Sequence, residues 1–239
     1  MEKAKKIKLF IGLFYLTLVG IFLYYLFTKF SLQEITSYEF IKNNRNYFYD
    51  LKQNNLFFLA TIFFFFIVIW VLAAGFGSPV AILSGFIFGK WLGTLLVVLG
   101  LSVGATLLYS FSNFFLKSLI KEKFLDKYQN LEEKFKKSEF IYLLIYRFCG
   151  GIPWQLSCIL PVLFDVKVKN YLFATLLGII PQIFLVVSIG SGLEKIISEN
   201  LEPPKISDII FSPDIYIPVG LFIILISITI IFRKIFYKN

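Results

Sequence analysis

The chain has 239 residues, of which 58% are hydrophobic and 19% aromatic against 16% charged, with a mean hydropathy of +0.78. An ordinary soluble domain of this length cannot hide so much apolar surface, so lipid has to cover part of it. The net charge of +9 does not point to nucleic acid, because the basic residues sit at the ends of apolar segments rather than in one aromatic-interleaved patch.

The sequence contains no histidine. That removes the commonest general base and metal ligand, and with it zinc hydrolases and Ser-His or Cys-His nucleophiles. The two cysteines, Cys149 and Cys158, lie in apolar sequence without metal or redox spacing and read as free thiols. No metal, cofactor or catalytic residue is expected, and no enzyme.

In chain order, Leu9–Phe27 is an apolar run long enough to span a bilayer, preceded by Lys3, Lys5, Lys6 and Lys8. It lacks a small-residue cleavage site and reads as an uncleaved anchor. Leu56–Ala74 is the second run, followed at once by "GFGSPVAILSGFIFGKWLG". Trp91–Leu116 is the third, and Tyr171–Ile189 and Ile215–Phe232 are the last two. Three regions follow: an anchor and connection over 1–55, a core over 56–195, and a loop with a final helix over 196–239.

Charge assigns sides. Residues 117–139 carry seven lysines against five acids, whereas 192–214 carry two lysines against five acids. Lysine and arginine excess marks the cytoplasm, which puts 117–139 and both termini inside and 192–214 outside. Within 117–139, Ile120, Phe124, Tyr128, Leu131 and Phe135 recur at helical steps, as in an amphipathic helix on an anionic leaflet.

An even number of crossings must separate the N-terminus from 117–139, and the first and third runs already supply two. Leu56–Gly89 is therefore expected to enter from outside, turn near Gly75–Pro79 and leave on the same side. By the same parity, Phe140–Phe164 enters and leaves on the cytoplasmic side. A full crossing by Leu56–Ala74 is the alternative, since 19 residues are many for a hairpin arm. Pro79 and Gly104 are 25 residues apart, as are Pro153 and Gly178. Equal spacing in oppositely oriented units predicts an inverted repeat, an architecture typical of transporters. The fold expected is an all-α polytopic membrane protein, with about four to five transmembrane helices plus two opposed re-entrant hairpins.

Backbone that leaves helical pairing inside a bilayer has to be buried in protein or line a wet cavity. Two facing tips therefore predict a polar place near the midplane, with Ser78, Ser84, Gln155, Ser157 and Gln182 as candidate lining. Arg147, in "YRFCGGIPWQLSCILPVLFDV", lies about seven residues into the second hairpin, roughly 10 Å deep at the helical rise. Unpaired, it costs about 2.5 kcal/mol or more at a helix centre. Two readings stand: it snorkels to the headgroups, or it receives an anionic group, with phosphate favoured by its fork of donors. An Arg147–Asp165 pair across the hairpin base is a third arrangement. With no histidine and Asp165 as the one candidate acid, proton coupling is not expected.

Over roughly residues 70–195 the chain resembles the DedA-like, VTT-domain superfamily, also called the SNARE-associated Golgi protein family. The resemblance rests on "SPVAILSGFIFGKWLGTLLVVLGLSVGATLLY" and on "YRFCGGIPWQLSCILPVLFDVKVKNYLFATLLGIIPQIFLVVSIGSGL". Arg147, Pro153, Trp154, Gly178, Pro181, Gly190 and Ser191 match the family pattern. The DedA branch has an acid beside the first hairpin's proline, and Ser78-Pro79-Val80 has none, so the chain is more similar to the Golgi-type branch. Cys149-Gly150 replaces the proline usual after the arginine, and Ser157 stands where an asparagine is common. These departures leave the resemblance in fold and remove any inherited substrate.

The resemblance implies lipid scrambling or carrier-lipid recycling. The expected function is movement of anionic phospholipid or a phosphorylated carrier lipid between leaflets, in support of membrane or envelope homeostasis. Arg147, Gln155, Ser157 and Ser78 would meet the headgroup. Pro79, Gly150, Gly151, Pro153 and Pro181 would shape tips and bends, and Gly85, Gly89, Gly104 and Gly178 would allow close helix approach. A small-anion transporter and a non-transporting scaffold are the alternatives. The partners expected are membrane lipids, with a homo-oligomer left open, in a bacterial cytoplasmic membrane.

Overall fold

The computed structural model describes residues 38–73, 75–115, 117, 136, 138–149 and 152–198, with scattered positions between 10 and 28 and between 211 and 224. The expected first and last spans, the surface helix within 117–139, and Gly150 and Gly151 lie largely or wholly outside the described residues. Among the described residues the fold is all-helical.

Helix α1 covers Tyr38–Leu72 and contains one break, at Asn55 (φ −159°, ψ 77°). The Asn55 carboxamide oxygen accepts the Phe58 N–H at 3.1 Å, as an N-cap does, so the apolar part effectively restarts there. In that part Phe63, Ile67, Trp70 and Val71 fall at helical spacing and are buried against the fold, while Phe57, Phe58, Ile62, Phe65 and Ile69 are exposed. A face of bare aromatics suits lipid rather than water.

Four residues turn the chain into α2, Gly77–Phe88, which reaches Gly89 (φ 77°) and passes directly into α3, Lys90–Phe115. Pro79 sits in the first turn of α2, where its missing N–H would find no helical partner anyway. At 12 residues α2 is about 18 Å long, too short to cross a hydrocarbon core of about 30 Å alone. The second unit repeats the plan: α4 (Glu139–Cys149), a short α5 (Trp154–Ile159) with a 3-10 turn (Leu160–Phe164), then α6 (Val168–Gly178) and α7 (Ile180–Ser198).

Two departures from the sequence expectation stand out. Asp50–Leu72 is long and apolar enough to cross the membrane by itself, which favours the alternative of a crossing arm over a short one that turns back. The expected single span Tyr171–Ile189 is two helices bent by 45° at Ile179, because Pro181 cannot donate to the preceding turn. The described residues thus hold two helices long enough to cross, or three if the bent pair is one span, against about four to five expected over the whole chain.

The two units exchange their short helices. In each unit the first arm packs on the span that follows it, α1 on α3 and α4 on α6; α2 instead lies along α7, and α5 with its 3-10 turn lies on α3. Glycines permit these contacts. A Cβ at Gly85 would sit 1.9 Å from the Val187 carbonyl oxygen, and one at Gly190 would sit 1.9 Å from that of Ile82. The backbones of α2 and α7 therefore touch, as at small-residue crossings in membranes. The matched Pro-to-Gly spacing has a structural counterpart: Gly104 of α3 faces Val71 and Val68 of α1, and Gly178 of α6 faces Arg147 and Leu144 of α4.

Candidate functional site

The turn of the first unit and the start of the second unit's short helix line one cavity of about 280 Å³. Phe76, Gly77 and Ser78 come from the first; Ile152, Pro153, Trp154 and Ser157 from the second. Tyr146 and Arg147 of α4 and Ile179, Gln182 and Ile183 around the bend complete the polar end. Phe76, Ser78, Ile152 and Pro153 are exposed, which leaves the cavity open on the tip side. The two turns thus border one partly polar space.

Arg147 is the charged member and is only 4% exposed. It does not snorkel. Its Nε donates to Thr175 Oγ1 at 3.1 Å and its Nη1 to Ser157 Oγ at 2.7 Å, while Nη2 donates to the Tyr171 hydroxyl. The guanidinium also lies 5.1 Å from the ring centres of both Trp154 and Tyr171 and 5.8 Å from that of Tyr146. Rings at these distances attract a cation but do not neutralise it. Among the described residues, every polar group to which Arg147 donates is neutral.

The Arg147–Asp165 pair does not form. Asp165 pairs with Lys117 at 2.5 Å, at the end of α3. It closes the 3-10 turn with a left-handed backbone (φ 54°), a conformation that aspartate tolerates better than most residues. Nearby, Glu139 accepts from Asn170 Nδ2 at 2.8 Å and from the Lys167 N–H at 3.3 Å. Both carboxylates are thus engaged at the hairpin base, away from the guanidinium.

The hydroxyls that hold Arg147 are themselves fixed. Ser157 donates to the Trp154 carbonyl at 2.7 Å, and Tyr171 to the Cys158 carbonyl at 3.1 Å. Tyr171 stacks on Tyr109 with ring centres 4.4 Å apart, and Tyr109 donates to the Val166 carbonyl at 2.6 Å. Gln182 Nε2 donates to the carbonyls of Arg147 and Phe148 at 3.0 and 2.7 Å. Those carbonyls lie in the last turn of the helix Glu139–Cys149, where helical N–H partners run out. The bend at Ile179 is thereby bonded to the helix that carries the guanidinium.

Of the residues the sequence suggested, Arg147, Ser78, Ser157, Pro153 and Gln182 come together at the cavity. Gln155 and Ser84 do not line it; Ser84 is buried between helices and donates to the Gly93 carbonyl at 3.2 Å. Tyr171 and Thr175 were missed, although Tyr171, Thr175, Gly178 and Gln182 form a polar and small stripe at helical spacing. Tyr146, the neighbour of Arg147, was missed as well.

The hydrophobic composition and the helices long enough to cross a bilayer mark a membrane protein. The VTT domain model matches residues 75–192, which include both turns and the cavity. The chain is 29% identical over 153 residues to the "Transmembrane protein 41 homolog" of Caenorhabditis elegans, covering 61% of each chain. It is 28% identical over 151 residues to the protein of the same name in Dictyostelium discoideum, covering 60% of this chain and 44% of that one. The match spans less than two thirds of either relative's length. No solved structure matches the chain significantly. The chain belongs to the VTT-domain superfamily, on the SNARE-associated Golgi side of it.

Proposed function

We propose that this protein moves phospholipid, or another lipid with a phosphorylated headgroup, between bilayer leaflets, and that Arg147 receives the headgroup. One observation carries the reading. A buried guanidinium with no carboxylate partner lines a cavity that is open between two helical turns. A charge kept in such a place without a counter-ion is costly unless an anion completes it. A lipid headgroup is an anion that reaches the cavity with its tails still in hydrocarbon.

In this reading α2 and the α5 segment are the inner limbs of two re-entrant hairpins, since neither is long enough to cross alone. Ser78 at the exposed rim meets the incoming headgroup, and Pro79 and Pro153 shape the tips. The lysine distribution supports a cytoplasmic 117–139 segment and C-terminus, and with them a second hairpin that opens to the cytoplasm. The same rule serves a bacterial cytoplasmic membrane and an internal eukaryotic one, and the relatives named above are eukaryotic. The protein acts without cofactor or catalysis, since scrambling breaks no covalent bond.

Transfer of a small anionic solute is the second reading, favoured by the modest size of the cavity. Liposomes holding the purified protein separate the two. Rapid exchange of a labelled anionic phospholipid, with the vesicles still impermeable to small anions, supports lipid movement. Anion flux without lipid exchange overturns it.

A further inference from the structure

The cavity holds hydrogen-bond donors that the fold itself does not use. Among the described residues Trp154 Nε1 is buried with no hydrogen-bond partner, and the Tyr146 hydroxyl is buried beside the Ser157 hydroxyl without a bond of normal geometry. Both side chains line the cavity, and both rings lie against the Arg147 guanidinium, at 5.1 and 5.8 Å. A buried donor left unpaired is costly, and of four buried polar atoms without a bond of normal geometry among the described residues two, those of Trp154 and Tyr146, belong to residues of this one cavity.

Arg147 adds to them. Of the five N–H bonds of a guanidinium, three are given to Thr175, Ser157 and Tyr171. The other two, one on each terminal nitrogen, have the Cys158 sulfur at 4.0 and 3.9 Å, a weak acceptor at long range. Two N–H groups of Arg147, an indole N–H and a phenol O–H thus belong to residues of one cavity, and no carboxylate is among its described lining residues.

We propose that Trp154 and Tyr146, together with the spare N–H groups of Arg147, form a donor cradle for the phosphate group of an ester. Neither residue's donor has been given a role above, and the proposal rests on the reading of the cavity as an anion site. Phosphate fits because it offers several acceptor oxygens in a tetrahedron, whereas a carboxylate offers two in one plane. The cavity, at about 280 Å³, is near the low end for small-ligand pockets of about 300–1,000 Å³. It takes the phosphate and its first substituent and leaves the remainder outside, past Ile152 and Pro153. The shared chemistry is a phosphate group, whether on a lipid or free in solution.

The test uses full-length protein carrying ¹⁵N-indole tryptophan, of which there are three, titrated with dihexanoyl phosphatidic acid, inorganic phosphate and dihexanoylglycerol. The expected result is that the phosphatidic acid shifts the Trp154 indole signal and dihexanoylglycerol does not. Trp154→Phe and Tyr146→Phe should each weaken binding about tenfold, as loss of one bond to an anion does. Tyr146→Phe removes a single oxygen that makes no hydrogen bond of normal geometry among the described residues, and it repeats the test should Trp154→Phe fail to fold. Response to inorganic phosphate but not to the lipid would support the cradle and overturn the headgroup reading. Lipid binding that both variants leave unchanged would overturn the cradle and spare that reading. Absence of binding by either phosphate compound would overturn both.

Discussion

A methyl group on Gly178 would sit 2.6 Å from Arg147 Cβ and 3.1 Å from the Leu144 carbonyl. The helix that carries the buried cation and the helix that holds it by two hydroxyls therefore meet at a residue with no side chain. The same contact lets Thr175 and Tyr171 reach the guanidinium from one face of α6. A glycine noticed for its distance from a proline is the point on which the site closes.

Gly178→Ala should lower the thermal unfolding midpoint in detergent, by an amount equivalent to about 1–3 kcal/mol, since neither backbone nor Cβ can yield easily. Gly192→Ala, where a Cβ meets nothing within 4 Å, should leave it unchanged. Equal midpoints for the two variants would contradict the close packing of α4 on α6.

Gln182→Leu keeps the approximate volume and removes the donor that the Arg147 and Phe148 carbonyls share. Losing that donor from the end of α4 should cost about 1–3 kcal/mol in stability. The same variant should slow lipid exchange, because the bend at Ile179 would no longer be tied to the end of α4. A slowed exchange with unchanged unfolding would show that the amide serves the lipid rather than the helix end.

Exchange of a phosphodiester lipid, whose headgroup phosphate stays singly charged, should not respond to pH between about 6 and 8, nor to a proton gradient, because no side chain lining the cavity ordinarily titrates there. Asp165 is two-thirds shielded but paired with a Lys117 that is 40% exposed. Asp165→Asn should therefore cost no more than about 1 kcal/mol and leave the pH profile flat. A gradient dependence that this variant abolishes would establish coupling through Asp165.

Much of this architecture was legible in the sequence because membrane insertion leaves coarse marks. One apolar run matches its helix closely: Trp91–Leu116 corresponds to Lys90–Phe115. Pro79 and Pro153, with their glycine partners at equal distance, marked the two turns. The bend at Ile179 was not seen, because Gly178 and Pro181 lie in a run hydrophobic enough to read as one span. Arg147 was conspicuous as a charge in apolar sequence, whereas the groups that hold it were not. Tyr171 and Thr175 look like ordinary interior residues until α6 is placed against α4. The unpaired donors of Trp154 and Tyr146 exist only in three dimensions, since any tryptophan or tyrosine is assumed to find a partner when buried.

In the proposed function the Arg147 charge serves a lipid and not the fold, and Arg147→Met separates the two. It keeps a long side chain and removes a buried charge that has no carboxylate partner to strand. Ser157 and Tyr171 retain their bonds to the Trp154 and Cys158 carbonyls. The measurement is the exchange rate of labelled anionic phospholipid in liposomes, alongside the unfolding midpoint of the same preparations. We predict that Arg147→Met slows exchange at least tenfold, with the midpoint unchanged or raised. Wild-type exchange by a variant that unfolds far more easily would contradict the account and make Arg147 a structural residue.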